Sequence, residues 1–341
     1  MNKKEPFYLR FWNWLRKFPS QIFLAILIPC IVYSFSYLFS DEFYYQNLNY
    51  DGVELDVDID QFSVKKINPL FKIMDISSFS NYQGGTCYNE YYVLCSNNFE
   101  CILIYNMSNN KVEHTIFTNQ TDTSYHCNTC FFGPDFYSST DKFPILYISM
   151  ENEGVESTLA YRLASNGGAY SMDLIQVLKF VCDDADQLYY PNSYYDYDSG
   201  CLYYGGYTQK SYMKSDDNFL RYYCFPLPDY RLAEYDLKTS NAIETFDVAS
   251  ETATQGGFIS QGYLFQTFSF NSDSDPLRKP KMRVLDLQEH KIVYDCQDLG
   301  QYGDYDEFEN IAANENGHIY GFGVKTLRIY DFEFNGKTIF L

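Results

Sequence analysis

The chain predicts an all-β fold, a five-bladed β-propeller preceded by one N-terminal transmembrane helix. Three observations predict it. The first is a stretch that occurs twice. One copy reads QGGTCYNEYYVLC and then ILIYNMSNNKVEHTI over residues 83–116, and the other reads QGGFISQGYLFQTF and then RVLDLQEHKIVYDC over residues 255–296. Each copy has a Gln-Gly-Gly opening, two short apolar strands, a polar turn and a strand that follows a lysine (Lys111, Lys291), which is the repeat grammar of a propeller blade. The second is composition. The 35 Tyr and 29 Phe suit pleated, half-buried surfaces, and no helical periodicity of useful length follows Ser40. The third is an uncharged apolar run of 18 residues over 22–39, close to the minimum for a membrane-spanning helix.

Four segments follow in order. Residues 1–21 are basic and aromatic, with Lys3, Lys4, Arg10, Arg16 and Lys17. Residues 22–40 are the anchor. The cations precede it and Asp41-Glu42 follow it, so the positive-inside rule places the N-terminus in the cytoplasm and the rest in the periplasm or outside. Trp12 and Trp14 flank the span as interfacial aromatics do. A cleaved signal peptide is disfavoured by the length of the run and the lack of an A-x-A-like site. A lipoprotein signal at Cys30 is disfavoured by Pro29 before it and Ile-Val-Tyr after it.

Residues 41–69 read as a tether. Asp56, Asp58 and Asp60 alternate with Val57 and Ile59, which would put three acids on one face of a strand. An exposed edge explains them better than a calcium site. Residues 70–341 are the propeller domain. Residues 71–76 read as an isolated strand, the candidate to close the ring by completing the last blade.

The blades start near Gln83, His126, Asn192, Gln255 and Glu309. Three of the four spacings between starts exceed the ~40–50 residues of a simple four-stranded blade. Insertions over residues 135–142, 210–218 and 271–281 account for part of the excess. Five blades is the count, or six if residues 187–250 hold two. No Trp lies beyond residue 14, which excludes a WD40 array, and no Kelch double-glycine pattern recurs.

The Gln-Gly-Gly openings, IYNMSNNK, VLDLQEHK and FENIAANENGHIY together resemble bacterial extracytoplasmic propellers of the YncE/NHL-like kind, and more closely uncharacterised membrane-anchored propeller families. The resemblance covers residues 70–341. It implies the fold and no reaction, because propellers host unrelated chemistries.

The formal net charge is −20, which makes nucleic acid an unfavourable partner. Innermost strands begin beside the central channel, so the blade starts should converge there. That makes Gln83, His126 with Asn128, Asn192, Gln255, and Glu309 with Asn310 the candidate ligand-binding set. Amides, one imidazole and one carboxylate suit hydrogen bonding to a glycan or a peptide. An envelope protein is the other partner class.

His126 with Glu309 as its orienting acid is the weak catalytic candidate, for a cell-envelope hydrolase or lyase. Two-carboxylate glycoside hydrolysis is disfavoured, because Gln83, Asn192 and Gln255 stand where acids would be needed. The acids at 304–309 read as a solvated loop. No phosphate-cradling glycine loop, GxSxG or HExxH occurs, so neither a cofactor nor a metal is expected. Of ten cysteines, Cys127 and Cys130 form a CxxC without a second one at zinc-ribbon spacing. Buried packing is the expected role of most of the ten.

Overall fold

The computed structural model describes residues 49–73, 82–118, 126–151, 156–166, 169–182, 187–211, 214–268, 279–303 and 306–338. Of the described residues, Tyr50–Phe136 and those from Asp141 on belong to one compact unit, and Asn49 with Tyr137–Thr140 to another. In the smaller one, Ser138 Oγ and Thr140 Oγ1 lie 2.9 Å apart.

The larger unit is a five-bladed propeller. After a short β1 (Asp56–Val57) comes β2 (Ser63–Lys72). Blade one is β3 (Tyr82–Tyr88), β4 (Tyr91–Ser96), β5 (Cys101–Asn106) and β6 (Lys111–Phe117). Blade two is β7 (His126–Phe132), β8 (Leu146–Glu151), β9 (Ser157–Asn166) and β10 (Ala169–Val181). Blade three opens with β11 (Tyr189–Asp196), β12 (Cys201–Tyr207) and β13 (Phe219–Pro226); β14 (Glu234–Lys238) follows, then β15 (Glu244–Ala249). Blade four is β16 (Thr254–Ser260), β17 (Tyr263–Phe268), β18 (Lys281–Asp286) and β19 (Lys291–Cys296). Blade five is β20 (Phe308–Ala313), β21 (Ile319–Gly323) and β22 (Arg328–Asn335), and β23 (Lys337–Thr338) pairs with β1.

Burial explains the sequence pattern. The middle strands β4 and β5 are buried on both faces, so they read as unbroken apolar runs. The outer strands β6 and β15 alternate between exposed and covered positions, the period of a half-buried strand. The core lies in the seams between blades. Phe265, Met282 and Val284 of blade four pack on Ile311, Tyr330 and Phe332 of blade five. Tyr194 and Tyr222 of blade three pack on Leu264 and Leu285 of blade four.

The repeated turn before Lys111 and Lys291 has a local cause. Asn106 Oδ1 accepts from the Ser108 N–H (3.0 Å), and Asp286 Oδ1 accepts from the Gln288 N–H (3.0 Å). Asn110 and His290 then take left-handed φ of 57° and 52°. Side-chain-capped turns of this kind favour Asn and Asp.

Three expectations change. The ring is closed by β2, antiparallel to β22 with Ile67 opposite Phe332, so the closing strand starts at Ser63 and takes in residues read as tether. Its apolar faces explain this, since Val64 and Ile67 are buried in the blade-five core. Next, the three aspartates do not form a strand ladder. Only Asp56 is in a strand, while Asp58 accepts from the Asp60 N–H and from Gln61 Nε2 in a turn.

Finally, the count of five blades stands, residues 187–250 holding one blade, but not all of their strands stay in it. The surplus is β14, which leaves blade three and adds to β10 of blade two in parallel register, Val177 opposite Glu234. Gln176, fully buried, pins the approach by donating from Nε2 to the carbonyls of Asp229 (2.7 Å) and Leu232 (3.0 Å). The anchor predicted at residues 22–40 lies outside the described residues. Among the described residues no helix is long and apolar enough to cross a membrane.

Candidate functional site

Every innermost strand carries a β-bulge near its start. The register with the second strand slips between Tyr82 and Gly85, between Cys127 and Cys130, between Tyr189 and Asn192, between Thr254 and Gly257, and between Phe308 and Asn310. One extra residue re-aims the side chains around it. The repeated Gln-Gly-Gly is this bulge. Aligned on it, the five equivalent residues are Gln83, Asn128, Tyr190, Gln255 and Glu309.

The crowding at the bulges explains the glycines. A Cβ on Gly256 would stand 2.3 Å from Asn310 Cα and 3.0 Å from the Glu309 carbonyl oxygen. One on Gly85 would stand 2.6 Å from the Asn310 amide. Asn310 fills the space so left. Its Nδ2 donates to the Gln83 carbonyl (2.7 Å) and its Oδ1 accepts from Tyr92 Oη, clasping blade five to blade one. In blade three a left-handed Tyr190 (φ 55°) stands at the glutamine position, and Pro191 and Asn192 take the place of the two glycines. A proline suits a bulge because no ladder hydrogen bond is lost there.

Four of the five equivalent residues, Gln83, Asn128, Tyr190 and Gln255, line one basin of about 800 Å³. His126, Glu151, Glu156, Tyr189, Tyr207 and Lys210 complete its polar wall. Tyr207 is held from behind: its hydroxyl donates to the Thr252 carbonyl (2.6 Å) and accepts from the Thr254 N–H (3.0 Å).

The predicted residues separate into three groups. Gln83, His126, Asn128 and Gln255 come together at the basin. Asn192 lies behind it, 1% exposed, with Nδ2 donating to Thr254 Oγ1 (2.9 Å). Glu309 does not line the basin. It is buried beside Glu307, Asp306 and Lys325, and burial together with the two acids pushes its carboxyl well above the usual range. No hydrogen bond joins it to His126 among the described residues. Asp306 is likewise structural, accepting from the Lys325 N–H (3.0 Å) and from Tyr330 Oη (3.0 Å).

The acid opposite His126 is Glu151, its cross-strand partner. Burial, and then the charge of Glu156, push the Glu151 carboxyl up to about 7. Burial also raises Glu156. Burial pushes His126 below its ordinary value, against a hydrogen bond with Asn128. Burial therefore favours the neutral forms of Glu151, Glu156 and His126, and the wall is rich in hydrogen-bonding groups. Glu151, Glu156, Tyr190 and Lys210 were not singled out from sequence, although Pro191 beside Tyr190 was a legible mark of a bulge.

Several buried oxygens here have no protein partner: Gln83 Oε1 at the basin, Asn192 Oδ1 behind it, and Glu309 Oε2 at the fifth bulge. Buried acceptors without a donor are costly. Among the described residues no cluster of three His, Cys, Asp or Glu side chains is arranged to hold a metal ion. A second cavity, of about 910 Å³, lies between the outer strands of blades one and two and is lined by Ile116, Phe117, Met172 and Leu174. It is a more apolar place, away from the bulge ring.

No family model and no curated protein matches the chain. Among solved structures, glutaminyl cyclase of Myxococcus xanthus is similar over 80% of this chain and 96% of its own, at 9% identity and a TM-score of 0.44. The PQQ-bound aldose sugar dehydrogenase of Streptomyces coelicolor is similar over 80% of this chain and 98% of its own, at 11% identity and a TM-score of 0.43. Likenesses this distant concern the chain's fold and carry nothing about its chemistry.

Proposed function

We propose that this chain is a ligand-binding propeller of the cell envelope whose basin recognises a glycan. Residues 22–40 anchor it in the membrane and the propeller stands outside the cytoplasm. The anchor rests on the uncharged run, with cations before it and acids after it. The binding role rests on one observation: the bulges of four blades aim Gln83, Asn128, Tyr190 and Gln255 into one basin. Amides offer a donor and an acceptor each, and tyrosines offer flat apolar faces with a hydroxyl. A neutral polyol needs that pairing.

The test is a glycan array probed with the full chain, followed by titration of the best hit. Gln83→Ala and Gln255→Ala should each weaken binding at least tenfold while the fold survives. Unchanged affinity in both variants would place the ligand elsewhere. Binding of peptides but no glycan would replace the ligand class, and binding of neither would favour an envelope protein as partner.

A second reading has its own observation. His126 faces Glu151, whose carboxyl exchanges its proton near neutral pH, as an acid–base pair requires. A hydrolase or lyase using this pair would turn over a bound glycan, and His126→Ala would abolish turnover. Turnover unaffected by that change would exclude the pair.

A further inference from the structure

Three thiols meet at the seam between blades one and two. Cys95 in β4 is in hydrogen-bond contact with both Cys127 and Cys130 of β7. The β7 bulge makes this possible. Residues three apart on a regular strand face opposite sides, but the slip between Cys127 and Cys130 turns both towards blade one. Cys127 Sγ also packs against blade one's bulge, where a Cβ on Gly84 would lie 3.3 Å from it. Cys95 and Cys127 have no exposed surface and Cys130 has 3%. Cys130, with Cys87, lines the narrow cavity on the channel axis, and it is the member of the trio that a small reagent reaches first.

We propose that these three cysteines are an oxidation site, forming a disulfide from Cys95 to Cys127 or Cys130 that staples blade one to blade two. The two cysteines of the CxxC lie on one bulged strand, three residue steps set against two of β8, and both are in contact with Cys95. Cys95 is the shared partner. The two S–H groups that donate to it favour its thiolate, while burial pushes the thiols of Cys127 and Cys130 up. The thiolate is the attacking species in exchange.

The chemistry balances with a low-molecular-weight disulfide as oxidant. Cys130 passes its proton along the hydrogen bond to Cys95 sulfur and, as the thiolate, attacks one sulfur of the oxidant, forming a mixed disulfide and releasing one small thiol. Cys95 sulfur attacks the Cys130 sulfur and releases the second small thiol. Two protein thiols are oxidised, the oxidant's S–S bond is reduced, and the two thiol protons leave on the released thiols. The remaining Cys127 lies against the new bond. Attack of its thiolate on Cys95 sulfur moves the bridge and returns Cys130 as a thiol.

The experiment equilibrates the folded full chain with oxidised glutathione, blocks free thiols with an alkylating agent in denaturant, and maps linked peptides by mass. The expected map links Cys95 to Cys127, Cys130 or both. Cys127→Ala should leave only the Cys95–Cys130 link, and Cys130→Ala only the Cys95–Cys127 link. The double variant should show Cys95 alkylated, which tests the site even if Cys95→Ser does not fold. Cys95 recovered as a free thiol in the parent, or linked to a cysteine outside the trio, would overturn the proposal.

Discussion

Glu251 shows how strongly a single residue is constrained here. Its carboxylate is fully buried and accepts from Lys281 Nζ (2.7 Å) and Arg283 Nη2 (2.9 Å), themselves 3% and 5% exposed, and from Gln297 Nε2 (3.1 Å). Burial alone would raise this acid. The hydrogen bonds from Lys281 and Gln297, with the two positive charges, outweigh it and hold the carboxyl at about 2. Glu251→Gln leaves two buried cations short of their counter-charge, so denaturant titration should show a loss of about 3 kcal/mol. Because the folded value lies below the unfolded one, the contribution is complete above about 4.5 and disappears as the pH falls towards about 2. Glu151 has the opposite sign. Its folded value is raised to about 7, so the folded state holds a proton that the unfolded chain has released, and stability declines as the pH rises from about 4.5 to about 7. Melting curves of parent and Glu151→Gln across that range should diverge in this direction; parallel curves would remove Glu151 from the account. Neither environment was legible in sequence, since each depends on burial and on the register between neighbouring strands rather than on local pattern. His126 was legible as an inner-strand start, but its partner was not. A cross-strand neighbour is set by register, and register put Glu151 opposite it while leaving Glu309 in a separate acidic pocket.

Among the elements, the bulged inner strand is the unit that matters. Its sequence mark was clear where glycines carry it, in Gln83-Gly84-Gly85 and Gln255-Gly256-Gly257. It was faint in blade two and blade three, where Thr129 and Pro191 stand in the same position. That is why Asn192 was taken for the ring member and Tyr190 was missed. Gly256→Ala tests the packing at this level. The added methyl meets the Asn310 backbone at 2.3 Å, which no side-chain rotation relieves. The expected cost is about 1–3 kcal/mol, read by thermal or denaturant unfolding, with a loss of ligand affinity because the neighbouring Gln255, which lines the basin, is displaced. Strand β14 was the least legible element. Residues 234–238 have the composition of a blade-three strand, and the fully buried Gln176, bonding to the loop carbonyls, and Leu237, packed in one core with Leu178 and Phe180, hold them on blade two.

At the scale of the whole molecule, the propeller is a ring whose blades rest on one another through their seams. Closure depends on β2, which supplies the outer strand of blade five from the other end of the chain. A chain starting after Lys72 would lose that strand and the burial of Phe62, Val64 and Ile67. It should melt at least 10 °C lower than the parent or fail to fold, since about 1.5–3 kcal/mol goes with each large apolar side chain left exposed. The blade count and the closing principle were readable from the repeat and from one unpaired strand near its start. The exact closing segment was not, because a bulge between Val64 and Lys66 sets the inward Val64 and Ile67 three residues apart and breaks the period-two alternation. The central claim is that the bulge ring builds a glycan site at the channel mouth. A crystal structure of the full chain with the best glycan from the array tests it most directly. The account predicts sugar density in contact with Gln83, Asn128, Tyr190 and Gln255. Sugar density confined to the cleft lined by Phe117 and Leu174, with the channel mouth empty, would contradict it.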